Sequence, residues 1–173
     1  MSVLRVFSYL PNPRVWKALI AADICGVEVE VVGDPSGNLG KWLWDFDARP
    51  LSDEERTEDS PHARPSRRGF SGTLYKTDAF LKAHPFGTVP AAFSPDGSTG
   101  VFESNSILRA VVRAAEDDHD LYGSDPYGAS RIDSFLDAGL VFAREAQVYL
   151  LAMGSMTPLI QERMAAAYEF FLN

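Results

Sequence analysis

The chain has 173 residues, 46% of them hydrophobic, and a formal net charge of −8. That length carries one domain, or one domain and part of another, and the composition suits a packed soluble core. The acidic balance speaks against a general nucleic-acid binder, and no apolar run is long enough for a bilayer span, so neither nucleic acid nor membrane is an expected partner. Met1-Ser2-Val3-Leu4-Arg5 lacks the charged-then-apolar order of a secretion signal. The single cysteine, Cys25, allows no internal disulfide and no Cys-x-x-Cys redox pair, which suits a reducing, cytoplasmic setting. Cys25 itself reads as a small buried thiol at a helix end.

Val3 to Phe7 is a short apolar run suited to a buried strand. From Arg14 to Cys25 the residues Val15, Ala18, Leu19 and Ala22 recur at helical spacing, and Gly26 supplies the stop. Val27, Val29 and Val31 then alternate with Glu28 and Glu30, a half-buried strand. Strand, helix and strand in so few residues make a βαβ unit with a right-handed crossover. Residues 34–73 are too long for an ordinary connection. They read as a flexible surface insertion, except that Trp42, Trp44 and Phe46 alternate within it. Aromatics are rare in a disordered tract, so these three can form a flap over a neighbouring site.

A helix is predicted over Lys76 to Ala83. Ala91 to Ser94 and Gly100 to Glu103 flank Pro95-Asp96-Gly97-Ser98, turn chemistry for an antiparallel hairpin. Ile107, Leu108, Val111, Val112 and Ala115 mark one face of a helix from Ser104 onward. The order β-α-β, helix, β-β-α is the thioredoxin-like arrangement, a mixed four-stranded sheet with helices on both faces. Residues 116–125 form a charged linker. Residues 126–173 read as the first helices of an all-α segment that is expected to be incomplete. Its long helix runs from Pro126 to Leu151 with Ile132, Phe135, Leu136, Ala143 and Ala146 inward, and Gly154 ends it. Thr157-Pro158 starts the next, whose stripe is Ile160, Met164, Tyr168 and Phe171.

Two short elements carry chemistry. Pro85-Phe86-Gly87-Thr88-Val89-Pro90 puts an X-Pro bond, able to be cis, where a strand begins. Glu103-Ser104 puts an acid, a hydroxyl and free amides where a strand gives way to a helix, which favours an anion. Together they describe a pocket for a small, carboxylate-bearing peptide. His62, His84 and His119 are scattered without ligand-like spacing, so no metal is expected.

With these residues in place, the chain resembles the glutathione transferase family. Phe7 to Ala22 is similar to the family's first strand and helix, and Thr77 to Ala91 to its approach to the cis proline. The likeness covers residues 3–33 and 74–115 well and the later helices more loosely, with local similarity to the gamma subunit of the translation elongation factor complex. The resemblance implies a glutathione-binding domain over 1–115, glutathione as substrate, and attack of its thiol on an electrophilic, largely apolar molecule. It also implies a homodimer.

In that scheme Ser104 receives the γ-glutamyl carboxylate, Glu103 pairs with the ammonium, and Val89, fixed by Pro90, offers its backbone to the cysteinyl part. Thr88 stands where many relatives have a Lys for the glycyl carboxylate, with Arg67, Arg68 or Lys76 able to compensate. Asn12 occupies the position of the family's thiol-activating Tyr, Ser or Cys, aided by Arg14, and Ser8 or Tyr9 can replace the missing hydroxyl. Tyr149 lines either a second-substrate pocket or the core. These departures and the large insertion keep open an alternative, a non-catalytic interaction or assembly module, which is what the elongation-factor likeness implies.

Overall fold

A computed structural model describes residues 2–66, 70, 72–152 and 157–172. In chain order the elements are β1 (Leu4–Tyr9), α1 (Pro13–Ile24), β2 (Val29–Asp34), a 3-10 turn (Ser36–Lys41), β3 (Trp42–Trp44), β4 (Arg49–Pro50), β5 (Ala63–Pro65) and β6 (Thr73–Lys76). Then come α2 (Asp78–Ala83), β7 (Ala91–Phe93), β8 (Gly100–Phe102), α3 (Ser104–Ala114), α4 (Pro126–Ala152) and α5 (Pro158–Leu172). They form two compact units, Met1–Leu121 and Tyr122–Asn173.

The main sheet has the order β2-β1-β7-β8. β1 and β2 are parallel, while β7 is antiparallel to both β1 and β8. Alternation along β1 sends Phe7 to one face and Leu4, Val6 and Ser8 to the other. The second face belongs to α1 and α3, which pack on each other and whose Val15, Ala18, Ile107 and Val111 are buried. Helix α1 begins where Pro13 needs no N–H partner, and Cys25 caps its end through bonds from its backbone N–H. Gly100 lets β8 approach α2, because a Cβ there would lie 2.2 Å from the Ala83 carbonyl oxygen.

Between positions 34 and 73 the described residues form ordered elements, not the flexible insertion that the length of the stretch implies. With the following strand they build a second four-stranded sheet, order β4-β3-β6-β5. Its aromatics do not form a flap either. Trp42 and Trp44 are 9% and 1% exposed and join Phe7, Leu39, Leu74, Phe80, Ala91 and Phe93 in one core. Trp44 meets Phe7, Phe70 and Phe80 edge-on, and its indole N–H donates to the Leu39 carbonyl at 3.0 Å. Phe46 stands edge-on to Phe93 under the Arg5 guanidinium. Burial of these rings offsets the entropy of ordering a long connection. Lys76 accordingly ends a strand instead of opening a helix, and Thr77 caps α2 by accepting from the Phe80 N–H.

In the second unit α4 and α5 pack as a pair. Ile132, Leu136, Ile160 and Met164 are half-buried, but Phe135 is 67% exposed, Tyr168 61%, and Ala143 is also open to solvent. A pair of helices covers one seam on each partner, which is too narrow for the inward stripes read from the sequence. Gly154 lies outside the described residues, as do the side chains of Tyr149 and Phe171. Among the described residues no helix is long and apolar enough to cross a membrane.

Truncating Trp44 to Ala leaves a large cavity and an orphaned Leu39 carbonyl. We expect it to destabilise the first unit by roughly 3–5 kcal/mol, much of a small domain's total, as read by urea unfolding.

Candidate functional site at one edge of the main sheet

Strand directions gather the carriers of chemistry at one edge. β1 ends at Tyr9, β8 ends at Phe102, and antiparallel β7 begins at Ala91, so all three termini open the same way. Phe7 pairs with Ala91 and Ala91 with Phe102. Continuing that register gives a row of Ser8, Pro90 and Glu103, and beyond it Tyr9, Val89 and Ser104. Neighbouring strands lie about 4.8 Å apart, so a tripeptide can span the row. The N-termini of α1 and α3 open at this edge as well and favour negative charge there.

The Val89–Pro90 peptide bond is cis, and so is Leu10–Pro11 in the turn from β1 to α1. Pro90 is buried, Val89 half-buried and Thr88 exposed. Glu103 has φ 68° and ψ 125°, a conformation side-chain-bearing residues rarely adopt, which costs on the order of 1–3 kcal/mol. It is the N-cap of α3, yet its carboxylate makes no capping bond and the residue is exposed. Ser104 is the first residue of the helix and is 4% exposed.

Asn12 is committed locally. Its Oδ1 accepts from the Arg14 N–H at 2.9 Å, and its Nδ2 donates to Ser8 Oγ at 2.9 Å. Both residues are fully buried. The structure thus brings two of the thiol-activating candidates together, but on each other and away from solvent. Tyr9 is half-buried against the core, and Arg14 is half-buried beside Lys17. Lys17 of α1 bonds to Asn105 Oδ1 in the first turn of α3. Burial lowers the Lys17 pKa, Arg14 and Arg109 push the same way, and Glu103 opposes them. Spacing on two separate helices gave no signal for this contact.

Lys76, a candidate to replace the absent Lys at position 88, donates to the Gly87 carbonyl at 2.6 Å. Arg67 and Arg68 lie outside the described residues. His84 is 2% exposed and stacks between Phe80 and Phe102, at 5.8 and 5.2 Å. Neither ring nitrogen has a hydrogen-bond partner. Burial lowers its pKa, and the Lys76 ammonium adds to that. The carbonyls of His84 and Pro90, near the ring but outside hydrogen-bonding geometry, oppose it in part. Cys25 is buried, and burial raises its thiol pKa, with Asp118 and Asp117 adding. Among the described residues no cluster of His, Cys, Asp and Glu could hold a metal ion.

This architecture is that of the glutathione transferases. Over 96% of the chain it superposes on the theta class glutathione S-transferase of Xanthomonas axonopodis pv. citri with glutathione bound, at TM-score 0.54 and 18% identity, spanning 64% of that protein. It also matches a diazinon-metabolizing glutathione S-transferase of the silkworm Bombyx mori at TM-score 0.58 and 16% identity, over 97% of this chain and 64% of that one.

In sequence the chain is similar to elongation factor 1-gamma. Identity is 34% over 134 residues with a probable elongation factor 1-gamma 1 of Arabidopsis thaliana, and 40% over 128 residues with that of Prunus avium. With the human protein it is 30% over 144 residues. These matches take in 78%, 74% and 82% of the chain but only 23%, 22% and 24% of the relatives. No family model matches the chain.

Replacing Asn12 by Ala removes the α1 cap and strands the Ser8 hydroxyl. The expected loss is about 1–3 kcal/mol of stability by chemical denaturation. His84 yields a pH dependence. Its folded pKa lies below the unfolded value of about 6.5, so below that pH the unfolded chain takes up a proton that the native ring refuses. Stability is therefore complete above about 6.5 and falls as pH drops toward the folded pKa. His84→Phe should shrink the difference in unfolding free energy between pH 7 and pH 5; an unchanged difference would rule out this residue as its source.

Proposed function

We propose that the first unit binds glutathione, or a peptide of the same γ-glutamyl type, as a binding and assembly module with little thiol activation. The observation that carries the binding half is the meeting of cis Val89–Pro90 with the strained Glu103 and Ser104 at one sheet edge. In this reading Ser104 gives its hydroxyl and backbone N–H to the γ-glutamyl carboxylate, helped by the helix dipole. Glu103 takes the ammonium. Val89 pairs its main chain with the cysteinyl residue as an added strand does. Thr88 gives the glycyl carboxylate one neutral hydrogen bond, weaker than an ammonium's. Solved relatives of this fold with glutathione bound support the choice of ligand.

The assembly half rests on Asn12 and Ser8. A free thiol near pKa 8.5 is mostly protonated at neutral pH, and lowering it by two units takes roughly 2.7 kcal/mol of selective stabilisation. Two buried groups bonded to each other have little left to give a thiolate. Similarity to proteins named as elongation factors supports a cytoplasmic role alongside translation-factor partners, and the glutathione transferase likeness supports a homodimer as the assembly form. The second reading is a transferase acting on an apolar electrophile. Tyr9 and Arg14, both half-buried at the same edge, favour it as the remaining sources of a hydroxyl and a positive charge.

Calorimetric titration tests the binding: the protein should take up glutathione, and Ser104→Ala should weaken it roughly ten- to a hundredfold. No heat at millimolar ligand would end the proposal. Ultraviolet difference spectra of the complex separate the two readings. Bound thiol without thiolate absorbance at neutral pH supports the module, and a thiolate band lost on Tyr9→Phe supports the enzyme.

A further inference from the structure

The second sheet ends against the loop that carries the cis proline. Lys76, the last residue of β6, donates Nζ to the Gly87 carbonyl at 2.6 Å, and its ammonium lies 4.6 Å from the centre of the Trp44 ring. Gly87 has φ 56°, and a Cβ at that position would sit 3.0 Å from Leu81 Cδ2 and 3.3 Å from Lys76 Nζ. The positive φ favours glycine, and a side chain there would crowd the Lys76 ammonium. The Gly87 N–H in turn donates to the His84 carbonyl at 2.9 Å, and the His84 ring is wedged between Phe80 and Phe102. Gly87 is therefore held from within its own loop and, across the chain, by a cation of the second sheet. Val89 follows two residues later.

We propose that Lys76 is a positioning residue, tying the second sheet to Gly87 and so setting where Val89 presents its N–H and C=O to a peptide ligand. A charge-assisted bond from an ammonium resting on an indole face is stronger than a neutral one. It holds an otherwise irregular loop in place before any ligand arrives, which removes an ordering cost from binding. Lys76 thus serves the ligand through the loop it holds. The second sheet becomes part of the site's support, since Trp44, whose ring Lys76 covers, lies in the core shared with the main sheet. The consequence for a ligand rests on the glutathione reading above; the tether itself does not.

Three variants of the whole chain test this. Lys76→Met keeps most of the stem over Trp44 and removes the donor, while Lys76→Arg keeps a donor. Leu43→Ala weakens the second sheet at β3 without touching Gly87. The readouts are glutathione affinity by calorimetry, amide exchange at Thr88 and Val89 in the ligand-free protein, and the thermal midpoint. Lys76→Met should weaken glutathione roughly three- to tenfold and speed exchange at both amides by a similar factor, with Lys76→Arg restoring most of each. Leu43→Ala should lower the midpoint while leaving affinity and exchange as in the wild type. Wild-type exchange in Lys76→Met, or an equal loss in Leu43→Ala, overturns the proposal. If the wild type takes up no glutathione, the binding reading fails alone, and the tether is judged by amide exchange.

Discussion

The pairing of Phe7 with Ala91, and of Ala91 with Phe102, is the constraint on which the site depends. A strand register can shift only by whole residues, and a slip of one turns every side chain to the opposite face. Phe7, Ala91 and Phe93 are locked to the face that carries the tryptophans, so the register cannot slide without exposing that core. Once it is set, the three strand ends fall in line. The cis proline, the strained Glu103 and the first turn of α3 then have one edge to share. The functional geometry is thus a by-product of core packing several residues away, and the strain at Glu103 is held by both flanking elements.

That edge has two parts of opposite character. Its outer part, with exposed Glu103 and Thr88 and half-buried Val89, is suited to receive polar groups of a ligand. Its inner part, around Asn12 and Ser8, is closed on itself. A side chain that caps a helix and bonds a buried hydroxyl stabilises the fold by turning both ends of its amide inward. A group that activates a thiol must keep capacity in reserve. Asn12 has taken the first course.

The second sheet shows how a long connection can become core. Three aromatics at alternate positions put Trp42 and Trp44 on the inner side of a short strand, and Phe46 continues the same side over the hairpin of the main sheet. The sheet reaches the cis-proline loop through Lys76 at its end.

Local chemistry was enough for much of this. Pro13 and Gly26 bound α1, Asp96 and its serines make the β7–β8 turn, and Thr157 opens its helix, all from neighbours within a few residues. The X-Pro step before β7 and the acid–hydroxyl pair before α3 were legible for the same reason. Residues 34–73 were not, because β3 pairs with β6 some thirty positions away and no local pattern encodes that partner. Nor could sequence tell that the Asn12 amide is spent on Ser8, that Lys76 reaches Gly87, or that His84 is buried without a partner. Propensity and spacing act along the chain and so marked the strands of the main sheet and the longer helices. Which polar groups remain available to a ligand depends on distance and burial across it, and only tertiary packing decided that.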